Sequence, residues 1–268
     1  MTLAAIRTML YDAKLNLMGE LEYRAAFLIW IVEETLSSFI SLAVWLAVLE
    51  HSTRLPLDRA QLFTYFIAQG IVRSCTMTWL IYLIPENIRD GHLSQKLLRP
   101  VPPMAHWIAN NVGEKGLRLM FQVPLICVVG LFFRAELRLP GDLWTWALVV
   151  VAVLLAAAVA FLLDLLVTSM AFWLQDVWGL NGTVYFAERF LDGRLIPLAL
   201  FPPWLIGVVE AQPFRYMLSF PLEILTGSLD AAAITRGFVW QIGWALALYA
   251  LYRVQWHFGL RAYSAVGA

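Results

Sequence analysis

Long runs of apolar residues alternate with short polar segments along most of this 268-residue chain. A helix needs about 20 mainly apolar residues to cross the hydrocarbon core of a bilayer. Six runs reach that length, and they predict six transmembrane helices. Their approximate bounds are 25–49, 61–84, 105–133, 143–173, 180–201 and 237–258.

The composition places the whole chain, 1–268, in one all-α integral membrane domain. Hydrophobic residues make up 61% of the chain and charged residues 14%, and the mean hydropathy is +0.71. A soluble domain is about half apolar and a quarter charged, so the apolar excess is expected to face lipid. The formal net charge is zero, which gives no indication of a nucleic-acid partner.

Two further segments are apolar without being spans. Residues 1–20 repeat apolar side chains at helical spacing, which predicts an amphipathic helix in the headgroup layer. This helix is either a simple anchor or an elbow that transmits motion to the first span. Residues 202–230 are apolar but repeatedly broken by proline, and they predict two re-entrant half-helices in the outer leaflet, between spans five and six.

The distribution of cations predicts the orientation. An even number of spans places both termini on one side of the membrane. All three lysines, Lys14, Lys96 and Lys115, fall on that side together with seven arginines, whereas six arginines lie on the opposite side. Cytoplasmic segments carry an excess of lysine and arginine, so both termini are predicted to be cytoplasmic.

The segment IRDGHLSQKLLRPVPP, at 88–103, combines basic and apolar residues directly after the second run. Gly91 suits a helix C-terminus, because glycine adopts positive φ without steric cost. The next residues predict a short helix with Leu93 and Leu97 on one face, which ends before Pro100 because proline cannot continue it. Such a helix suits a hydrophobic groove on another protein. It equally suits an interfacial loop with its leucines resting on lipid.

Ionisable residues inside the predicted spans cost several kcal/mol unless they are paired or hydrated. In the first span, Glu33 and Glu34 have two possible roles. In the first role, one reaches the interface and the other pairs with a cation such as Arg73 or Lys115. In the second, both form an acidic wall that favours a cationic or zwitterionic cargo.

The later spans carry four more candidates for a substrate path. Spacing places Glu188 and Asp192 on one helical stripe with Arg189 beside them, and Arg194 belongs to the same group of charges. These charges either pair among themselves at a subunit interface or form a hydrophilic patch along the path. Asp164 stands alone in the fourth span and is expected to pair with a neighbouring helix.

Two motifs carry a resemblance to a known family. The pattern I-x-x-G-x-L-x-x-x-L-L-x-R-P is met, with one residue fewer before the arginine, by Ile88, Gly91, Leu93, Leu97, Leu98, Arg99 and Pro100. The pattern G-x-x-I-P-L, then P-F, then P-x-x-I-x-x-G is met by Gly193, Ile196, Pro197, Leu198, Pro213, Phe214, Pro221, Ile224 and Gly227. Over nearly the whole chain, the sequence resembles the ABC-2 type permeases, most closely their branch of six-span subunits.

The resemblance implies a transmembrane permease subunit of an ATP-driven ABC exporter in the bacterial cytoplasmic membrane. Two permease subunits, identical or homologous, would form the translocation path among membrane lipids. Two copies of a cytoplasmic ABC ATPase would bind ATP and Mg²⁺ and drive transport. The helix after the second span would be the coupling helix seated in the ATPase. Its contact residues would be Arg89, Asp90, Gly91, His92, Leu93, Lys96, Leu97, Leu98, Arg99 and Pro100.

Other kinds of site find little support in the sequence. The chain contains no G-x-x-x-x-G-K-[ST] phosphate loop, so an ATPase is expected to be another polypeptide. Its four histidines are scattered, and neither a metal site nor a cofactor of its own is predicted. Two alternatives to a permease remain open. One is a membrane-embedded enzyme acting on lipid, with Glu33, Glu34 and Asp164 as its acid–base set, and the other is an ATP-independent channel or scaffold.

Overall fold

The computed structural model describes residues 24–51, 56–99 and 101–263, and all regular secondary structure in these ranges is helical. The predicted helix at 1–20 and Pro100 lie outside the described residues. Four stretches within these ranges are long and apolar enough to cross a membrane. They are Ile29–His51, Arg59–Arg89, Pro103–Phe132 and Leu143–Phe172. The all-α prediction is therefore confirmed, and four of the predicted spans fall in helical stretches of sufficient length and hydropathy.

The described residues form ten α-helices linked by short connections. They are α1 (Arg24–His51), α2 (Arg59–Thr76), α3 (Ile84–Arg89), α4 (His92–Leu97), α5 (Pro103–Phe132), α6 (Leu143–Thr168), α7 (Trp178–Leu191), α8 (Pro203–Ala211), α9 (Ser219–Leu225) and α10 (Ala231–Ala262). Four 3-10 turns lie at Leu80–Tyr82, Ser169–Phe172, Leu198–Leu200 and Phe214–Met217. The predicted sixth span lies within α10, whose 32 residues exceed the crossing length but are less apolar than the four stretches above.

Two predicted spans are not continuous helices. In the second, α2 ends at Thr76, residues 77–79 are not helical, and the chain resumes in a 3-10 turn followed by α3. The prediction of one helix over 180–201 is wrong. Helix α7 has only 14 residues, because the chain turns at Gly193, with φ 90°, and Pro197 follows. Apolar composition predicted the run but not the break within it.

The segment at 202–230 contains two short helices, α8 and α9. All seven residues of α9 are buried, and this helix packs against α6 and α2 inside the chain. Backbone that is not part of a spanning helix needs such protein cover in a membrane. The depth of α8 and α9 in a bilayer remains a prediction.

Aspartates begin three of the longest helices. The side chain of Asp58 accepts a hydrogen bond from Gln61 N, and Gln61 Oε1 accepts one from Asp58 N, which forms a capping box for α2. Asp142 and Asp230 accept from backbone N–H groups in the first turns of α6 and α10. The bond from Thr145 holds the pKa of the Asp142 carboxyl below its usual value. These caps fix where α2, α6 and α10 start.

Polar contacts gather the starts of these helices at one end of the bundle. Arg138 Nη1 lies 3.0 Å from Asp58 Oδ2, and Arg59 Nε lies 2.8 Å from Glu136 Oε2. At the opposite end, aromatic rings pack edge to face, with Trp107 and Trp256 centroids 5.4 Å apart. The first end corresponds to the predicted outer face and the second to the predicted cytoplasmic face.

A buried hydrogen-bonded joint fixes the chain where α7 ends. Tyr65 on α2 donates its hydroxyl to Gly193 O at 3.0 Å and lies 2.9 Å from Ser219 Oγ on α9. Ser219 in turn donates to Asp192 O at 2.6 Å. A Cβ on Gly193 would overlap both Ser219 Oγ and the Tyr65 hydroxyl. Only glycine therefore fits here, for its positive φ and for its size.

We expect Gly193→Ala to lower the free energy of unfolding by about 2 kcal/mol or more, because left-handed backbone strain and overpacking add. The matched control is Gly182→Ala, which lies within α7 with no atom near the added Cβ. That change should be neutral or stabilise the helix by up to about 1 kcal/mol. Unfolding in mixed micelles with increasing dodecyl sulfate measures both variants. Equal unfolding midpoints for the two variants would contradict the requirement for glycine at position 193.

Candidate functional site

Arg73 stands at the centre of a chain of ion pairs inside the helix bundle. This residue on α2 is only 3% exposed. Its Nε lies 3.3 Å from Glu34 Oε1 on α1, and its Nη1 lies 2.8 Å from Glu188 Oε1 on α7. The guanidinium has donors pointing in several directions, so one arginine can pair with two carboxylates. Arg73 thereby connects three helices within the predicted membrane region.

Arg194 extends the network just beyond α7. Its Nη2 lies 3.3 Å from Glu188 Oε1 and 3.1 Å from Asp192 Oδ2. Asp192 is fully buried, and its Oδ1 accepts the backbone N–H of Arg194 at 2.8 Å. Glu188 and Asp192 therefore share a network, as their spacing suggested. Of the two arginines in that group, Arg194 supplies the pairing cation, whereas Arg189 makes no ion pair within the described residues.

Sequence reasoning gave Arg73 too small a role. It was considered only as one possible partner of Glu33 or Glu34, although an arginine deep in an apolar run demands partners. Arg194 was grouped with Glu188, Arg189 and Asp192, but its contact with Glu188 depends on the turn at Gly193, which helical spacing does not describe.

Two charged side chains hydrogen-bond to the backbone at the break in the second span. Lys115 on α5 donates to Met77 O at 2.8 Å. Asp164 on α6 accepts the backbone N–H of Leu80 at 3.2 Å and the hydroxyl of Thr78 at 2.5 Å. An interrupted helix leaves backbone groups without partners, which is costly in a membrane unless side chains replace them. Asp164 thus bonds to a neighbouring helix segment, but through hydrogen bonds instead of an ion pair.

A notch, called here the charged notch, lies between α1, α2 and α7. Six of the residues that line it are Glu33, Glu34, Gln69, Arg73, Arg189 and Arg194. Its enclosed part has a volume of about 30 Å³, and Glu33 at its edge is exposed. Glu33 and Arg189 form no ion pair or hydrogen bond with other residues in the described ranges. The notch therefore presents one unpaired anion and one unpaired cation.

A second cavity, of about 70 Å³, lies between α2, α6 and α7. Asp164, Thr78 and Glu188 line it, and Arg73 lines both this cavity and the charged notch. Its polar walls and size suit ordered water. Glu33 and Glu34 line the notch and Asp164 lines the cavity, so the three carboxylates of the enzyme alternative do not share one site.

The segment predicted to couple to a partner is a short helix at the cytoplasmic end. Gly91 adopts φ 75° and joins α3 to α4. Leu93 is 0% exposed and belongs to this chain's own core, whereas Leu97 and Leu98 are 40% and 89% exposed. Leu93 therefore cannot fill a groove on another protein without unfolding this end. The exposed polar residues of the predicted set are Arg89, Asp90, His92 and Arg99, and Lys96 is half-buried.

Comparison with known families agrees with this architecture. The family described as ABC-2 family transporter protein matches residues 59–267, which is most of the chain. The chain belongs to the ABC-2 transporter family. No curated protein matches it. Family membership and the four apolar helices together make it a multi-pass membrane permease of an ABC transporter, in a family that generally works with cytoplasmic ABC ATPases.

The site of this ABC-2 permease consists largely of charged side chains. Among the described residues, no three His, Cys, Asp or Glu side chains group closely enough to hold a metal ion. The charges instead join helices, as at Arg73, or face the charged notch, as at Glu33 and Arg189. These two groups predict different effects of mutation.

We expect Arg73→Gln to destabilise the permease by about 3–5 kcal/mol, because it removes a buried guanidinium and leaves half-buried Glu34 without its cation. The control is Arg138→Gln, whose partner Asp58 is 52% exposed, so that pair contributes at most about 1 kcal/mol. Dodecyl sulfate unfolding of the two purified variants measures the difference. A midpoint for Arg73→Gln equal to that of Arg138→Gln would show that the buried network does not stabilise the fold.

Proposed function

We propose that this chain is the transmembrane permease subunit of an ATP-driven exporter. In this proposal a second permease subunit, identical or homologous, completes the translocation path. Two copies of a cytoplasmic ABC ATPase bind ATP and Mg²⁺ and supply the energy. The observation that carries the proposal is an exposed apolar tip, Leu97 and Leu98, held on a rigid base at one end of the bundle.

The rigid base supports a role in transmitting force. Leu93 of α4 belongs to the same buried cluster as Ile88 of α3 and Trp107 of α5. Helix α4 packs against both of those helices, and α3 packs against the turn Ser169–Phe172 at the end of α6. Interiors this closely packed transmit displacement instead of absorbing it. A push on α4 therefore moves α3 and the end of α6 together.

The chemistry of the tip suits a groove on a partner protein. Leu98 is almost fully exposed, and an apolar side chain at the tip of a structured helix gains free energy when another protein covers it. Exposed charges at Arg89, Asp90, His92 and Arg99 surround the tip. Such a polar rim around an apolar centre is the usual arrangement of a protein interface.

The break in the second span supports a conformational role for the motion. Helix α3 lies directly beyond the 3-10 turn at Leu80–Tyr82, which follows the break. Hydrogen bonds from Lys115 and to Asp164 hold this segment from two other helices. In the proposed cycle, displacement of α3 shifts the break, and the helices around Arg73 then rearrange to open the path. The bacterial cytoplasmic membrane, with both termini in the cytoplasm, fits this arrangement.

We expect Leu98→Asp and Leu97→Asp each to reduce association with the ATPase at least about tenfold, because a carboxylate cannot be buried in an apolar groove without a large cost. Leu139→Asp is the control, since Leu139 is 54% exposed at the opposite end of the bundle. Co-purification with an ABC ATPase from the same gene neighbourhood, and ATP hydrolysis by the complex, measure the effect.

The coupling assignment fails if Leu98→Asp co-purifies with the ATPase and stimulates hydrolysis as the unmodified chain does. Membrane insertion should stay unchanged in all three variants, because none of the substituted side chains is buried. An ATP-independent channel predicts transport that persists without any ATPase, and the same preparations test it.

A further inference from the structure

The charged notch contains polar groups that the fold itself leaves without partners. Glu33 and Arg189 form no ion pair within the described residues. Two buried side chains that line the notch, Arg194 and Gln69, each have one atom without a hydrogen-bond partner. These atoms are Arg194 Nε and Gln69 Oε1. Arg194 is 7% exposed and Gln69 is 2% exposed. Unpaired buried polar atoms are rare in folded proteins and call for an explanation such as a bound ligand.

These four groups divide by chemistry across the notch. Glu33 on α1 and Gln69 on α2 offer acceptor oxygens. Arg189 on α7 and Arg194 beyond it offer N–H donors. The α1 and α2 side of the notch therefore suits the positively charged part of a ligand, and the α7 side suits a negatively charged part.

The other charges along the notch are already neutralised. Glu34 pairs with Arg73, and Arg118 pairs with Glu114 at 2.9 Å. The carboxylates suggest a cationic ligand when they are considered alone, but the unpaired charges that remain are one anion and one cation. A ligand with a single charge would leave one of them unpaired.

The position of the notch suits a molecule with an apolar tail. Glu33 lies 18 residues before His51 on α1, about 27 Å along the helix axis. This distance brings it close to the inner boundary of a hydrocarbon core about 30 Å thick. Exposed apolar side chains flank it at Ile29, Val32 and Leu36. A tail can therefore stay in lipid while a polar head enters the notch.

We propose that the charged notch binds the head of a zwitterionic amphiphile, with the cationic end toward Glu33 and the anionic end toward Arg189. That this amphiphile is the transported cargo rests on the function proposed above. Binding itself needs no ATPase and is tested on the permease alone. A second copy of the chain, pairing its Arg189 with Glu33 across an interface, is the competing occupant.

The experiment uses the purified full-length permease in a maltoside detergent and three photoactivatable probes. All three carry the same dodecyl diazirine tail, and their heads are phosphocholine, a phosphate monoester and trimethylammonium. Peptide mass spectrometry locates the labelled residues, and unlabelled dodecylphosphocholine competes. We expect saturable phosphocholine labelling of α1 and α7, with labelling by the phosphate monoester and trimethylammonium probes at least about tenfold weaker, because each lacks one of the two opposite charges.

Variants test which residues select the head. Glu33→Gln and Arg189→Gln should each raise the phosphocholine probe concentration that gives half-maximal labelling about tenfold, because each removes one charge-assisted contact. Neither should unfold the protein, since neither side chain has a partner to lose. Glu50→Gln, on the same helix as Glu33, and Arg236→Gln, on α10, are matched controls that should leave labelling unchanged.

Three outcomes would overturn the proposal. The first is equal labelling by the trimethylammonium probe, and the second is phosphocholine labelling unaffected by Glu33→Gln and Arg189→Gln. The third is loss of a permease dimer in both single variants and its recovery in the charge-swapped double variant, E33R with R189E, which would assign the notch to a second copy.

The proposed function and this inference fail separately. Leu98→Asp should lose the ATPase and keep phosphocholine labelling. Unmodified permease that binds the ATPase but shows none of the expected labelling would contradict the ligand assignment alone.

Discussion

A buried arginine constrains much of this structure. A guanidinium within the predicted membrane region needs anionic partners, since an unpaired charge there costs several kcal/mol. Arg73 finds them on two other helices, Glu34 on α1 and Glu188 on α7. The short helix α7 has no buried residues of its own, so this ion pair is a principal link between α7 and the rest of the bundle. The position of α7, and with it the shape of the charged notch, depends on Arg73.

The same requirement explains the break in the second span. Backbone groups at Met77 and Leu80 have lost their helical partners, and Lys115 and Asp164 replace them. Several intramembrane charges therefore have a structural role that composition alone does not distinguish from a role in transport. The distinction appears only when each charge is followed to its partner. Within the part of the chain that the structure describes, Glu33 and Arg189 have no such partner, which makes them the best candidates for contact with something outside this chain.

The exposed tip of α4 and the charged network around Arg73 are connected through helices that pack against one another. The exposed leucines of α4 continue through α3 to the break, and the break lies beside the cavity lined by Arg73 and Asp164. A displacement of α4 by the proposed ATPase would thus reach the charged network through α3 and the break. Unwound segments in membrane helices are tolerated where they are covered by protein or line a cavity, and both conditions apply here.

The sequence by itself determined the all-helical membrane architecture and membership in the ABC-2 family, because apolar run length and local motifs are properties of consecutive residues. It predicted six spans, of which four fall in stretches of spanning length and hydropathy. It left open whether Glu33 and Glu34 pair with a cation such as Arg73 or form an acidic wall. Only the tertiary structure decided the rest. Leu93 turned inward while Leu98 stayed exposed, and Arg194 reached Glu188 through the turn at Gly193. Partners of this kind depend on how distant segments pack, and helical spacing describes only neighbours within one segment.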